Sequence, residues 1–340
     1  MWTKSGSYFF FGLLLGVLLA TCGFGWYVRH VNLRPGGGNE KYVLKLAHSL
    51  DQSHPVHKAM AFMADTLKTK SAGTVELQIF PNGQLGSETE CIEQLQRGAL
   101  AMTKTSTAPM ESFIPDMAIF GIPYVFRDED HFWKMIHSAI GKRLLTAGES
   151  VGLRGLCYYD AGARSFYTTD RPVMSPNDLK GLKIRVQQSK TAMDMVEALG
   201  GAPTPIAWGE LYTALQQGMV DGAENNPPSF FTNRHFEVCK HLSLDEHTRV
   251  PDILLFSEKV WEGLPGHVQQ WIQEAADESA TYQRKLWSEE NEAVLQSVVE
   301  EGVTIHYPDK SEFASKVAAM HGSYEGSQLG NLLQQVLDIK

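Results

Sequence analysis

Residues 266–302, GHVQQWIQEAADESATYQRKLWSEENEAVLQSVVEEG, set the large-scale architecture of this 340-residue chain. Apolar residues recur here at about helical spacing, namely Val268, Ile272, Ala275, Ala276, Leu286, Ala293, Val294 and Val298. A continuous helix of this length reaches about 55 Å at about 1.5 Å per residue. A lobe of about 130 residues is only about 30–40 Å across. The helix is therefore expected to span two lobes, unless a break near residues 289–290 divides it into two helices.

Two β-α repeats supply a lobe each. In the first, the pattern predicts strands at residues 42–47, 74–80 and 100–104, with helices after Pro55 and after the Ser87–Glu90 capping box. In the second, it predicts strands at residues 182–186, 202–206 and 220–224 and helices at residues 189–199 and 208–217. The fold class is therefore α/β, with two open sheets flanked by helices. Ligands of such sheets gather at the carboxyl ends of the strands.

The composition excludes several classes of protein. With 43% hydrophobic and 20% charged residues, the chain is an ordinary globular protein. The net charge is −9, and because residues 1–40 hold three basic residues and one acidic residue, the remainder carries 27 − 38 = −11. So acidic a body is a poor nucleic-acid binder. The chain contains no P-loop, nucleophile elbow, dinucleotide fingerprint or zinc-protease motif, so we expect no cofactor and no metal.

The first forty residues are typical of an export signal. Lys4 precedes an apolar run at residues 8–20, and residues 34–39 are rich in glycine, as in a linker. Cleavage near residues 20–22, lipidation of Cys22 and retention as a membrane anchor remain open. Each outcome places the body outside the cytoplasmic membrane, in the periplasm.

Polar residues at strand ends are the candidates for a site. Arg185 alternates with apolar neighbours near the end of one strand, and Arg164 lies where the chain passes between the two repeats. An arginine can grip a carboxylate with two parallel hydrogen bonds, although a solvated or internally paired arginine is the commoner case. Asn225 and Asn226 suit hydroxyl and carboxylate oxygens, or form an Asn-Pro turn. Trp208 can stack on a sugar ring, or belong to the core. Three further residues are weaker candidates: His54, Lys104 and His247.

Five motifs together resemble the solute-binding receptors of tripartite ATP-independent periplasmic (TRAP) transporters, the DctP family. They are FPNGQLG at 80–86, IPYVF at 122–126, GLKIRVQ at 181–187, WGELYTALQQG at 208–218 and VDGAENN at 220–226. The resemblance covers about residues 41–330. It implies a periplasmic-binding-protein-like fold with mixed sheets in two lobes, a cleft between them and the long helix across both. Residues 1–40 would precede lobe 1 (41–161 and 251–290) and lobe 2 (162–250 and 291–340).

The resemblance also implies a function and roles for residues. Such receptors bind an organic anion and deliver it to membrane subunits, here as a non-catalytic monomer. Arg185 corresponds to the arginine that holds the carboxylate, and Arg164 corresponds to a second arginine near the ligand. Asn225 corresponds to the asparagine that follows Asp-Gly-x-Glu in the family's motif. The double asparagine and the stretch ending at His247 are most similar to members that take hexuronates. Trp208 would form an apolar wall. Hydroxyls of the sugar would contact five polar side chains, namely Gln187, Asn225, Asn226, His54 and Glu88.

Two alternatives stay open. One is the same receptor class for a C4-dicarboxylate or another organic acid. The other is a secreted enzyme acting on a sugar acid, which would need a titratable pair drawn from Glu88, Glu210 and Glu224.

Overall fold

Two β-sheets with flanking helices organise residues 41–340, the part of the chain that the computed structural model describes. The proposed signal or anchor at residues 1–40 lies outside the described residues. The strands are β1 Tyr42–Ala47, β2 Val75–Phe80, β3 Met102–Ser106, β4 Leu153–Tyr159, β5 Arg164–Thr168, β6 Lys183–Val186, β7 Ala202–Pro205, β8 Gly222–Asn225, β9 His241–Thr248, β10 Asp252–Ser257 and β11 Thr304–His306.

The helices cover the faces of both sheets. They are α1 Pro55–Lys70, α2 Glu88–Arg97, α3 Thr107–Met110, α4 Glu129–His137, α5 Ala139–Thr146, α6 Lys190–Leu199, α7 Leu211–Gln216, α8 Pro227–Thr232, α9 Glu258–Trp261, α10 Gly266–Glu300, α11 Lys310–Gly322 and α12 Gln328–Leu337. Short 3-10 helices span Pro115–Gly121, Glu149–Val151, Pro176–Leu179, Trp208–Glu210 and His235–Glu237.

Both sheets are mixed, and the chain passes between them three times, from β4 to β5, from β9 to β10 and along α10 from β10 to β11. The first has the order β2-β1-β3-β10-β4, in which β10 runs antiparallel between β3 and β4. The second has the order β11-β9-β5-β8-β6-β7, in which β5 runs antiparallel to both neighbours. Since β4 leads into β5 and β9 leads into β10, two connecting segments join the lobes. This is the predicted two-lobed α/β fold.

The long helix is continuous, as one of the two sequence interpretations required. Helix α10 runs for 35 residues without the break considered at residues 289–290. Its Val268 and Ile272 belong to the core of the first lobe, whereas Val294 and Val298 belong to a core of the second. The helix therefore spans both lobes.

Helix α10 also fixes the first connecting segment. The side chain of Gln283 is fully buried; its Oε1 accepts a hydrogen bond from Asp160 N at 2.7 Å and its Nε2 donates to Asp160 O at 2.8 Å. Gly162 follows with φ +58°, and a Cβ there would lie 3.1 Å from the indole nitrogen of Trp287. The segment can therefore lie against the helix only because residue 162 is glycine.

Local signals place the helices that border the cleft. Ser87 and Glu90 form the capping box at the start of α2, and Gly98 ends that helix in the left-handed conformation. Strand β3, however, occupies residues 102–106 rather than the predicted 100–104. Its position follows from its partners, because Met102 pairs with Leu46 on one side and Ser106 with Asp252 on the other.

The last helix departs from the predicted division of the lobes. Residues 291–340 were all expected in the second lobe. Instead Leu332, Leu333 and Val336 of α12 are buried in the core of the first lobe, together with Met117 and Ile119. The apolar stripe of α12 shows that the helix is amphipathic, but not which core it joins.

None of the helices within residues 41–340 combines the length and the apolar character that crossing a lipid bilayer requires.

Candidate functional site

A polar cavity lies between the two lobes, at the ends of strands from both sheets. The empty space of this cavity, including solvent at its opening, is about 370 Å³. Its wall consists of Ser49, Leu50, Glu88, Lys104, Ser106, Ala161, Arg164, Gln187, Trp208, Asn225, Asn226, Ser229, Val250 and Asp252. A second cavity adjoins it, since Glu88, Gln187 and Trp208 border both, and the second also includes Arg185.

Arg185 is a buried cation that forms no ion pair with any residue in the described part of the chain. It lies on β6 between two fully buried apolar residues and is itself only 2% exposed. Its Nε donates to Ile206 O at 2.8 Å, but its Nη1 has no hydrogen-bond partner within residues 41–340. Burial lowers the pKa of this guanidinium from its usual value, which means that the fold destabilises its charge. Such a group is suited to an anion that enters from outside the protein.

Trp208 completes the surroundings of Arg185. The guanidinium carbon lies 5.6 Å from the centre of the indole ring, in a cation–π arrangement. The buried indole Nε1 of Trp208 is a second donor for which residues 41–340 offer no acceptor. Two unused donors thus lie beside the same cavity, where a ligand oxygen can accept from them.

Arg164, in contrast, is paired within the protein. Its Nε and Nη2 grip the carboxylate of Glu224, with Nη2 to Oε1 at 2.9 Å, and Nη2 also donates to Glu224 O at 2.7 Å. Its Nη1 donates to Asn225 Oδ1 at 2.8 Å. Burial opposes the charge of Glu224, but the attraction of Arg164 outweighs it and lowers the pKa of Glu224 to about 2. Four of the five guanidinium N–H groups are therefore engaged, leaving one to face a ligand.

His247 contacts the carboxylate of Glu224 in this pair. Its Nδ1 lies 2.8 Å from Asp245 Oδ2 and its Nε2 lies 3.4 Å from Glu224 Oε2, and the ring is fully buried. Burial alone would favour the neutral ring, but the two carboxylates outweigh it and raise the pKa of His247 to about 9. His247 is therefore a cation at neutral pH, held between two anions.

Both asparagines border the cavity, and their amide oxygens are engaged within the protein. Asn225 Oδ1 accepts from Arg164, and Asn226 Oδ1 accepts from Ser229 N at 2.8 Å, which caps helix α8. Asn226 and Pro227 thus form the start of helix α8 rather than the separate Asn-Pro turn considered from the sequence. Because the oxygens are engaged, the Nδ2 groups are the parts of both side chains that remain to donate to a ligand.

Lys104 occupies the wall that the first lobe contributes. Its Nζ donates to Asp252 Oδ1 at 3.0 Å and lies 3.5 Å from Glu88 Oε1. Burial disfavours its charge, but the two carboxylates outweigh that cost and raise the pKa of Lys104. The sequence offered Lys104 only as a weak candidate, and nothing in the apolar strand DILLFS singled out Asp252.

Two of the predicted ligand residues do not border either cavity. His54 and His247 lie outside both cavities. Nδ1 of His54 accepts from Val56 N at the start of α1, so Nε2 carries the proton and donates to Ser229 Oγ at 3.2 Å. With both ring nitrogens of His54 engaged, and His247 enclosed between carboxylates, neither ring has a nitrogen left for a sugar hydroxyl. The other seven predicted residues border one or both cavities.

Hydrogen bonds join the lobes around the cavity. The His54–Ser229 bond is one of them, and Thr89 Oγ1 donates to Gln188 Oε1 at 2.7 Å on the exposed rim. On the far side, Glu111 accepts from both the backbone nitrogen and the hydroxyl of Thr191, at 3.1 and 2.7 Å. The lobes are thus in contact across the cleft. Within residues 41–340, no group of three or more His, Cys, Asp or Glu side chains is placed to hold a metal ion.

Comparisons with known proteins agree with this architecture. Residues 46–327 match the family model DctP, described as bacterial extracellular solute-binding protein, family 7. A TRAP periplasmic solute-binding protein from Bradyrhizobium sp. BTAi1, solved with bound galacturonate, is 41% identical. That alignment covers 87% of this chain and 99% of the other, with a TM-score of 0.84.

Two further relatives are similar over most of their length. A TRAP solute-binding protein from Chromohalobacter salexigens DSM 3043, solved with D-glucuronate, is 34% identical over 87% of this chain and 100% of the other, with a TM-score of 0.84. The C4-dicarboxylate-binding periplasmic protein DctP of Rhodobacter capsulatus is 34% identical, covering 78% of this chain and 80% of its own. The chain therefore belongs to the DctP family of TRAP solute-binding proteins, family 7 of the bacterial extracellular solute-binding proteins.

Proposed function

We propose that this chain is the extracytoplasmic receptor of a TRAP transporter for a hexuronate, such as D-galacturonate or D-glucuronate. It binds the sugar acid between its lobes and delivers it unchanged to the membrane subunits. The observation that carries the proposal is the buried guanidinium of Arg185, which has an unused N–H and no carboxylate partner within residues 41–340. A ligand carboxylate supplies both the missing acceptor and the missing charge.

Neutral and paired groups surround that charge and suit hydroxyls. Gln187, Asn225 and Asn226 offer amide groups, and Glu88 offers a carboxylate oxygen, all on the wall of the first cavity. Trp208 provides an apolar surface for the ring of a sugar. In this proposal Arg164 contributes its one remaining N–H, while His54 and His247 act indirectly by holding Ser229 and Glu224.

Closure of the two lobes strengthens the contact with the carboxylate. The two connecting segments and helix α10 join the lobes, and such linkers permit hinge motion. When the cleft closes, water leaves and the attraction between guanidinium and carboxylate increases in the lower dielectric. The Glu111–Thr191 contact and the other bonds across the rim hold the lobes together in this form.

The relatives support the choice of ligand. Both solved structures described above contain a hexuronate, and the Bradyrhizobium protein is the most similar of the three in sequence. The second candidate is a C4-dicarboxylate, which the R. capsulatus relative binds according to its name.

The geometry favours binding over catalysis. Of the three carboxylates from which an enzyme would draw its pair, Glu224 is held ionised by Arg164, and Glu210 is exposed outside both cavities. Glu88 forms an ion pair with Lys104 and accepts a hydrogen bond from the backbone nitrogen of Ser106. These carboxylates do not come together beside the cavity as the pair that acid–base catalysis uses. The same proposal includes export of the chain through its N-terminal segment and delivery of the ligand to the membrane subunits of a TRAP transporter.

Thermal unfolding with a panel of organic acids tests the function. We expect D-galacturonate or D-glucuronate at 100 times its dissociation constant to stabilise the protein by about 2.7 kcal/mol, and the sugar acid to be recovered unchanged in a one-to-one complex. Succinate serves as the dicarboxylate comparison. Stabilisation by succinate but by neither hexuronate would contradict the proposed ligand, and conversion of the sugar acid would contradict the receptor.

A further inference from the structure

We infer that the cavity accepts only one carboxylate, so that the receptor selects monocarboxylate sugar acids and rejects dicarboxylates, including the aldarates that carry a second carboxylate at the other end of the same sugar. This inference rests on the proposed function. It is carried by the cluster of Glu88, Lys104 and Asp252 on the first-lobe wall, which we call the lysine cluster.

In the lysine cluster, one positive charge is paired with two carboxylates. Lys104 Nζ lies 3.0 Å from Asp252 and 3.5 Å from Glu88, and the three side chains are 3%, 9% and 15% exposed. Burial raises the pKa of Asp252, while the attraction of Lys104 opposes that rise. Even with Asp252 protonated, Lys104 and Glu88 would cancel. The cluster therefore has no positive charge to spare for a ligand.

Two other cations near the cavity are also paired with carboxylates of the protein. Arg164 is neutralised by the two oxygens of Glu224, and His247 by Asp245. Arg185 alone, among the charged residues bordering the two cavities, has no ion-pair partner within residues 41–340. Among the described residues, the two cavities thus have a single positive charge without an ion-pair partner.

A second carboxylate would meet like charge. Glu88 borders both cavities, and Asp252 lies beside it on the same wall. Juxtaposed like charges cost several kcal/mol at a desolvated site, and an ionised carboxylate cannot donate a hydrogen bond to another. A hydroxyl in the same place can donate to either carboxylate. The lysine cluster therefore favours the hydroxyl-bearing end of a sugar acid over a second carboxylate.

Calorimetric titration of the full-length protein at pH 7 with D-galacturonate and with galactarate tests the inference. Galactarate has a second carboxylate at the first carbon and is therefore acyclic, so the effect of charge is measured by how the cavity variants change the preference. We expect galacturonate to bind at least about 100-fold more tightly. We expect Glu88→Gln, which removes one negative charge and keeps the Oε1 acceptor for Ser106, to reduce this preference at least about tenfold.

Matched variants separate the cavity from general electrostatics. Glu93→Gln makes the same charge change on the exposed surface of α2, and we expect it to leave the preference unchanged. Asp252→Asn provides a second test within the lysine cluster if Glu88→Gln unfolds, and we expect the same reduction.

The outcomes distinguish this inference from the function on which it rests. Equal binding of galacturonate and galactarate would overturn the inference and leave the receptor function intact. An unchanged preference in both cavity variants would also overturn it. Binding of neither hexuronate nor aldarate would overturn the proposed function itself.

Discussion

Arg185→Met is expected to weaken hexuronate binding about 100-fold, and Arg185→Lys at least about tenfold, without unfolding the protein. Charged hydrogen bonds contribute about 1.5–3 kcal/mol each, and lysine cannot reproduce the two parallel bonds of a guanidinium. A loss on the order of 3 kcal/mol corresponds to about 100-fold in affinity. Isothermal titration calorimetry with D-galacturonate measures the effect.

The stability of the ligand-free variants identifies the role of this arginine. Arg185 makes one hydrogen bond to Ile206 O and no ion pair within residues 41–340, and burial disfavours its charge. Arg185→Met should therefore leave the free energy of unfolding unchanged or raise it. Arg164→Met is the matched control: it leaves Glu224 buried without its partner and should cost about 3–5 kcal/mol. Unchanged affinity in both Arg185 variants would exclude the carboxylate contact.

The stabilising contribution of His247 is expected to disappear between pH 6.5 and pH 9.5. The pKa of His247 is raised to about 9 in the folded protein by Asp245 and Glu224, against the cost of burial, and is about 6.5 in the unfolded chain. A group whose pKa is higher in the folded protein than in the unfolded chain contributes its full stabilisation at pH values below the unfolded pKa. This contribution is lost as the pH rises through the folded pKa. The shift corresponds to about 3 kcal/mol.

Chemical denaturation of the wild type and of His247→Gln measures this contribution. The difference in the free energy of unfolding between the two proteins should be about 3 kcal/mol larger at pH 6.5 than at pH 9.5. His235→Gln is the control, because burial lowers the pKa of His235 to about 3. The difference in the free energy of unfolding between the wild type and His235→Gln should be smaller at pH 6.5 than at pH 9.5, by less than about 1 kcal/mol. A pH-independent difference for His247→Gln would show that the ring is neutral.

The sequence indicates those parts of the fold that local physics controls. The Ser87–Glu90 capping box, the apolar spacing of α10 and the alternation around Arg185 each depend on neighbouring residues, and each is present in the structure. The docking of α12 and the two-residue shift of β3 depend on contacts with distant parts of the chain. No pattern within those segments carries that information.

The same distinction applies to the site. Residues at strand ends and next to prolines are visible in the sequence, and seven of the nine predicted side chains border the cleft cavities. What the sequence does not show is which charges neutralise each other. Arg164 and Arg185 cannot be told apart by residue type. Glu224 lies 60 positions from Arg164 and pairs with it, whereas Arg185 has no such partner among residues 41–340. The difference between a structural and a binding arginine arises from that pairing.

The central claim is that the buried guanidinium at position 185 receives the carboxylate of the ligand. A crystal structure of the protein with D-galacturonate tests it most directly. The account predicts a carboxylate oxygen about 2.7–2.9 Å from Nη1 of Arg185, with the ring hydroxyls turned toward Glu88 and the two asparagines. A carboxylate bound at Lys104 or Arg164, with Arg185 out of contact, would contradict it.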